Sequence, residues 1–388
     1  TKNNIESTKQ VIAGIFYKTG RPISLIVENG IITSIVHKRK YVNQKRIIVP
    51  GFVDMQINGY MGYDFNQLGM DKKAWENVIK KLLTVGVTTF YPTVITNSYA
   101  KLNSIFKEYS AILKNNPVIG GFHLEGPYIS SQDGPRGAHQ KKHIRPPDWD
   151  EFCRLQDAAS GMIKIITISP KHPGTTSFIK SAVSTGVKIA IGHTAATSKQ
   201  IAEAVEAGAS FSTHLGNGSH SILPRHRNYV WDQLGEDRLW ATIIADGHHL
   251  PNNLLKVFER TKRRKLVIVS DSVMLAGLPP GDYHTEIGGD VTLTDLGLLH
   301  LKGNSKILAG SAQHILHGVN YLIEQKICNI SEAIDKASVL PSFLMGLAKK
   351  EGIKVGAVAD VVVLEKQEKG FEVVKTYKNG IQIYNKTS

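Results

Sequence analysis

Disulfide chemistry has almost no material in this chain: Cys153 and Cys328 are its only cysteines, and no CxxC pair occurs. A disulfide scaffold and a cysteine-built metal knuckle are excluded, and two reduced thiols are expected. Long apolar runs are missing as well. No stretch reaches the roughly 18 apolar residues that a membrane helix needs. The opening TKNNIESTKQ has no apolar signal core, so a cytoplasmic protein is expected. No GxGxxG or P-loop follows the first strand-like run of the central region, which argues against a nucleotide-binding open sheet. Aromatic residues make up 7% of the chain. They do not interleave with the basic clusters at 38–40, 141–142 and 262–265, so a single-strand nucleic-acid groove is not indicated. The net charge of +14 then reads as a scattered, lysine-rich surface, a field that agrees with a small anionic substrate. Neither nucleic acid nor membrane is an expected partner.

What the chain does have is alternation. Apolar runs occur at 51–58, 87–94, 118–126, 163–170, 188–194, 210–216, 240–246 and 265–271, separated by helix-like segments. Residues 71–85 set Trp75, Val78, Ile79, Leu82 and Leu83 on one face, with Gly86 as a helix stop. Ser198 is placed to cap KQIAEAVEAG, which Gly208 closes. Eight strands with helical crossovers predict an α/β chain folded as a (β/α)8 TIM barrel over 51–349. A doubly wound sheet is the alternative. Both ends of the chain are β-rich, with Asn29-Gly30 and Asn379-Gly380 as hairpin turns. Residues 1–50 and 350–388 are therefore expected to form a second, smaller β-sandwich-like domain.

Four polar residues stand where apolar runs stop: Glu125, His193, His214 and Asp271. Any one of them alone is most simply a surface residue or a helix cap. All four at the same end of separate strands would meet at the mouth where barrel enzymes keep their chemistry. One carboxylate and two imidazoles suit a single first-row divalent ion, zinc foremost, and leave a position open for water. Asp271 is then placed to take a proton from that water and return it to a leaving amine.

An ordered set of short motifs carries a resemblance over nearly the whole chain: PGFVDMQINGY at 50–60, HLEGP at 123–127, GHT at 192–194, STHL at 212–215, ADGHH at 245–249, SDSVMLAG at 270–277, LAGS at 308–311 and GIKVGAVADVVVL at 352–364. Together they resemble the N-acetylglucosamine-6-phosphate deacetylases of the amidohydrolase superfamily. The resemblance implies hydrolysis of the acetyl group from N-acetyl-D-glucosamine 6-phosphate. It makes Glu125, His193 and His214 the metal ligands and Asp271 the acid/base. It gives His139, rather than neighbouring His143, the task of polarising the substrate carbonyl. His249, rather than His248, holds the sugar. Substrate contacts are further implied at Ala138, Asn217, Gly218, Leu308, Ala309 and Gly310, and a homodimer is implied as the assembly. Gln56 and Asn58 stand where many amidohydrolases carry ligands for a second metal, so one tightly bound ion is expected.

The match loosens in two places. Gly216-Asn217-Gly218 and then Arg225-His226-Arg227 follow His214, where relatives use an arginine, often the partner subunit's, to hold phosphate. Spacing selects Arg225 over Arg227 for that clamp. Lys171 follows Ser169-Pro170, where many relatives carry a glutamate. The rival readings are an amidohydrolase for another N-acyl sugar or an N-acyl amino acid, and a non-catalytic nucleic-acid-binding protein.

Overall fold

The computed structural model describes residues 9–40, 43, 45–285 and 289–386. Eight parallel strands form one sheet: β1 (Phe52–Ile57), β2 (Val87–Ile95), β3 (Phe122–Glu125), β4 (Ile163–Ile168), β5 (Lys188–Ile191), β6 (Ala209–Ser212), β7 (Trp240–Ile244) and β8 (Leu266–Val269). They pair in chain order from β1 to β8. The ring closes just past β8, where Ser272 bridges Ile57 in parallel and the Asp271 N–H donates to the Gln56 carbonyl at 2.9 Å. Every residue of β1, β3 and β8 is buried. Strands covered on both faces read as continuous apolar runs, which is why the sequence marks them.

Seven helices cross between consecutive strands: α1 (Lys72–Thr84), α2 (Tyr99–Leu113), α3 (Trp149–Ala158), α4 (Thr175–Ser184), α5 (Ser198–Ala207), α6 (Tyr229–Gly235) and α7 (Asn252–Lys262). Trp75, Val78, Ile79, Leu82 and Leu83 of α1 are all buried, and Gly86 follows in the left-handed region. At α5 the cap shifts by one residue from the expected Ser198. Thr197 accepts from the Gln200 N–H while the Gln200 side chain accepts from the Thr197 N–H. That reciprocal pair satisfies two backbone donors, and a cap at Ser198 would forgo it.

The two ends of the chain share a seven-stranded sheet. Its order is Ile381–Asn385, Phe371–Lys378, Val361–Lys366, Arg46–Pro50, Lys9–Phe16, Pro22–Glu28, Ile31–His37. Its ends curl toward each other: a Cβ on Gly30 would lie 2.7 Å from the Asn379 carbonyl oxygen. Both turns have positive φ at Asn and Gly, as two-residue hairpins require. Ile12, Leu25, Ile48, Val361 and Val374 share the enclosed core, so the sheet is sandwich-like. The chain divides into two compact units, the described residues of Thr1–Asp54, Ile79–Thr89 and Ile315–Ser388, and those of Met55–Val78 and Phe90–His314. In the first unit Asp360 is buried between two lysines, 2.7 Å from Lys378 Nζ and 3.2 Å from Lys349 Nζ.

A four-stranded antiparallel sheet lies outside the sequence expectation. Its strands are Gly281–Thr285, Gly289–Leu293, Leu299–Leu301 and Asn304–Leu308. Val291, Leu293 and Leu299 pack with Leu275 and Ala312. Among the described residues no helix is long and apolar enough to cross a membrane.

Candidate functional site

Glu125 is the last residue of β3, and its side chain is buried. His193, His214 and Asp271 each lie two positions past the ends of β5, β6 and β8. All three adopt left-handed backbone, with φ of 46°, 28° and 46°. Such conformations cost on the order of 1–3 kcal/mol each for a residue with a side chain and persist where the surroundings impose them, commonly at functional sites.

The result is convergence. Glu125 Oε1 lies 3.1 Å from both His193 Nε2 and His214 Nε2, and the two imidazole nitrogens are 3.0 Å apart. His193 Nδ1 is 2.8 Å from the Pro135 carbonyl, which can only accept. The ring proton therefore sits on Nδ1 and the Nε2 lone pair faces the carboxylate. A carboxylate oxygen and a bare imidazole nitrogen at this range call for a cation between them. The electrostatics agree: burial alone would raise Glu125, yet the two neighbouring imidazoles, His193 and His214, hold it well below the usual carboxylate range. His214, despite burial, is pushed up by the same carboxylate. Glu125, His193 and His214 are thus a donor set suited to a divalent ion.

Gln56 and Asn58 both serve this site as hydrogen-bond donors. Gln56 Nε2 donates to Glu125 Oε1 at 2.8 Å, and Asn58 Nδ2 donates to Asp271 Oδ1 at 2.7 Å. Asp271 is pushed up to about 6 by burial and then by the Glu125 charge, with the Asn58 hydrogen bond opposing. A carboxylate poised there changes protonation near neutral pH, as a proton shuttle must.

His139 is buried against His193, with ring centroids 4.4 Å apart, and its Nδ1 lies 2.8 Å from Thr96 Oγ1. Burial, then the neighbouring His193, push it down to about 3, so the ring is neutral. His143 is only half-buried, in a short turn of 3-10 helix. His249 is held through Nδ1 by Asp246 Oδ2 at 2.7 Å, while Asp246 Oδ1 accepts the N–H groups of His248 and His249. His248 turns away to the Leu296 carbonyl at 3.1 Å. Asn217 N–H donates to the His214 carbonyl. Gly218 packs so closely on His193 that a Cβ would sit 2.7 Å from Nδ1. Gly310, after Leu308 and Ala309, leaves comparable room for Val273.

Other expected contacts are placed more loosely. Ala138 is exposed beside His139. Arg225 is exposed, its carbonyl accepting from Trp231 Nε1. Arg227 lines a cavity of about 560 Å³ with Gln132, Thr197, His220 and Asp232. Among the described residues neither guanidinium makes an ion pair. Lys171 offers its carbonyl to Gln200.

The sequence reading missed three partners: Thr96, Asp246 and the Pro135 carbonyl. Asp246 had a usable signal, since it precedes His249 by three positions in ADGHH and that spacing suits an Asx-type turn. Beneath the site a buried chain links His123 Nδ1 to the Met55 carbonyl at 3.0 Å and His123 Nε2 to Thr167 Oγ1 at 2.7 Å. Thr167 in turn meets Thr213 Oγ1 at 2.7 Å. Burial drives His123 down to about 4, which keeps it neutral in this network.

Known proteins resemble the chain throughout. The model of the Amidohydrolase family matches residues 47–383. The N-acetylglucosamine-6-phosphate deacetylase of Danio rerio is 32% identical over 358 residues, covering 88% of this chain and 86% of that one. The human enzyme of that name is 32% identical over 349 residues, covering 86% and 83%. A structure of N-acetyl-D-glucosamine-6-phosphate deacetylase from Mycobacterium smegmatis, a mutant in complex with N-acetyl-D-glucosamine-6-phosphate, superposes with a TM-score of 0.86 at 25% identity. It covers 97% of this chain and 100% of that one.

Proposed function

The chain belongs to the amidohydrolase family, among its N-acetylglucosamine-6-phosphate deacetylases, and from that membership we propose that it hydrolyses N-acetyl-D-glucosamine 6-phosphate to D-glucosamine 6-phosphate and acetate. The observation that carries the reading is the meeting of Glu125, His193 and His214 at the strand ends, with Asp271 beside them.

A divalent ion held by Glu125, His193 and His214 supplies Lewis acidity toward the acetyl carbonyl and makes water a stronger nucleophile at neutral pH. The remaining work falls to the chain. Gln56 steadies the Glu125 carboxylate through its amide N–H. Asp271, aimed by Asn58, removes a proton from the attacking water and delivers it to the departing amine nitrogen. The Asp246 carboxylate only accepts, so in the neutral ring His249 carries its proton on Nδ1. Its Nε2 then accepts from a sugar hydroxyl. Glycine at 218 lets the backbone approach both His193 and ligand. Ala138, Asn217 and Leu308–Gly310 line the sugar's remaining surface, and Arg225 holds the phosphate.

The same reading carries zinc as the ion, a homodimer as the assembly and the cytoplasm as the compartment. The imidazole and carboxylate donor set supports zinc. Ile222, 88% exposed, and the part-exposed Trp231 flank Arg225 and Arg227, which suits a subunit contact. Cys153 and Cys328, neither of them in a disulfide, suit a reducing compartment.

The test is acetate release by zinc-loaded protein from N-acetyl-D-glucosamine 6-phosphate and from the unphosphorylated sugar. The phosphorylated sugar is expected to have the higher kcat/KM, with the advantage reduced in Arg225→Ala more than in Arg227→Ala. Equal kcat/KM for both sugars would discard the phosphate reading and favour another N-acyl substrate.

A further inference from the structure

We propose that His248 is a positioning residue: its ring latches the tip of the four-stranded sheet, so that the turn carrying His249 and the segment Leu308–Gly310 hold the sugar as one piece. The turn is organised by a single carboxylate. Asp246 Oδ1 accepts the backbone N–H groups of His248 and His249, at 2.9 Å each, and Oδ2 holds His249 Nδ1 at 2.7 Å. A shift of His248 therefore carries His249 with it. His248 Nε2 reaches out of the turn to the Leu296 carbonyl at 3.1 Å. A carbonyl only accepts, so Nε2 is the donor.

Leu296 stands at the tip of the hairpin between Gly289–Leu293 and Leu299–Leu301. That tip is closed on itself. Gly297 N–H donates to the Thr294 carbonyl at 2.9 Å, Thr294 N–H to the Leu298 carbonyl at 2.9 Å, and Leu298 N–H to Thr294 Oγ1 at 3.0 Å. The Leu296 side chain is 81% exposed, so it supplies no apolar packing to hold the tip in place. The bond from His248 to its carbonyl does. On the other flank Gly297, at a φ of 78°, lies against the Gln313 side chain, where a Cβ would stand 1.7 Å from Nε2. The tip is thus seated between the turn after β7 and the residues that follow LAGS.

The strand beside the tip is bonded to the second sugar segment. Ala309 N–H donates to the Leu299 carbonyl at 3.0 Å, and Asn304–Leu308 runs directly into Ala309 and Gly310. Ala309 also packs on the core that Leu299 shares with Leu293 and Leu275. Through this hairpin His248 is joined to Ala309. In the deacetylase reading His249 and Leu308–Gly310 hold the sugar rather than the reacting acetyl group, so the latch acts on binding. An interaction made equally in the ground and transition states raises KM when it is lost and leaves kcat unchanged. This role rests on the deacetylase reading, but the latch itself does not.

The test compares zinc-loaded His248→Ala, His248→Asn and His248→Gln. Glutamine sets an amide N–H at the reach of imidazole Nε2, and asparagine stops short of it. In His248→Ala and His248→Asn, KM for the phosphosugar should rise about 3- to 10-fold, the worth of one intramolecular hydrogen bond, with kcat within about twofold of wild type. Hydrogen exchange at the Gly297 and Leu298 amides should quicken by a similar factor. His248→Gln should restore both, and zinc content should match the wild type in all three. A His248→Ala protein with wild-type KM and exchange overturns the proposal. So does a loss of kcat at constant KM, or a His248→Gln protein no better than His248→Ala. If the wild type does not hydrolyse the phosphosugar, the deacetylase reading fails and the exchange measurements alone decide the latch.

Discussion

Asp271→Asn separates the proton shuttle from the metal site. The substitution keeps size and shape. Asn tolerates the φ of 46° at this position better than most residues, and its backbone N–H still reaches the Gln56 carbonyl. Its side-chain oxygen can still accept from Asn58 Nδ2. What disappears is the ability to take and give a proton. General acid–base catalysis contributes about 10²–10⁴-fold, and the same carboxyl serves both halves of the turnover. A fall in kcat of about 10³–10⁴-fold is expected, or roughly 4–5 kcal/mol of barrier. Metal content should stay at the wild-type value, since Glu125, His193 and His214 do not bond to Asp271. The pH profile gives a second reading. Burial and the Glu125 charge push Asp271 up to about 6, while a cation held at Glu125 favours the carboxylate. The wild-type acid limb, one proton steep, should therefore lie at or below pH 6 and vanish in the variant. Acetate release measured from pH 4.5 to 9, with metal analysis of the same samples, tests both. Turnover within tenfold of wild type by a fully metal-loaded Asp271→Asn protein would refute the assignment.

Three other outcomes follow from the same geometry. Gly218→Ala places a Cβ 2.7 Å from His193 Nδ1 at a φ of 57°. Displacing the ring from the Pro135 carbonyl should weaken zinc binding about 10- to 100-fold in chelator competition, and an unchanged affinity would contradict the packing. Removing the ion should lower Tm, because a ligand bound only to the folded state adds about 4 kcal/mol at a thousandfold excess over Kd. A chelated protein with the wild-type Tm would show that no ion is held there. In the first unit, burial pushes Lys349 down from 10.5 to about 8, against the pull of Asp360. The unfolded chain then binds more protons between pH 8 and 10.5, so this lysine's destabilisation is full below pH 8 and fades as pH rises. At about 1.4 kcal/mol per pKa unit, the margin of Lys349→Met relative to the wild type should fall by about 2 kcal/mol between pH 7 and 9.5. Denaturant melts at pH 7 and 9.5 should show that margin shrinking, and a constant margin would exclude the linkage.

Much of the barrel was legible because its strands are covered on both faces. FVDMQI, FHLE and LVIV are wholly buried, and burial on both sides writes an unbroken apolar run into the sequence. The sheet over residues 281–308 was not legible for the converse reason. GDYHT contains no fully apolar face and LHL is too short to show an alternation, so the buried side is supplied by single residues such as Val291 and Leu299. The cap of α5 was misplaced by one because Thr197 and Ser198 are equally good caps by type. Only the distance to Gln200 decides between them, and TSKQ did contain that spacing.

The site divides along the same line. Glu125, His193, His214 and Asp271 could be read because each interrupts a run where it ends. Thr96 could not, because nothing in VITNS distinguishes a hydroxyl bonded to a histidine forty-three positions away from an ordinary helix cap. The backbone explains why strand ends suffice to find the first group. His193, His214 and Asp271 all take positive φ two positions past their strands, and for His214 and Asp271 the neighbours that hold them there belong to other strands. The Thr242 hydroxyl accepts from the His214 N–H, and the Gln56 carbonyl accepts from that of Asp271. The left-handed turns at His214 and Asp271 are thus tied to the adjacent strand and to barrel closure respectively. A chain that kept these four residues but lost the closing contacts of Ser272 with Ile57 and of Asp271 with Gln56 would no longer aim Asp271 at the other three.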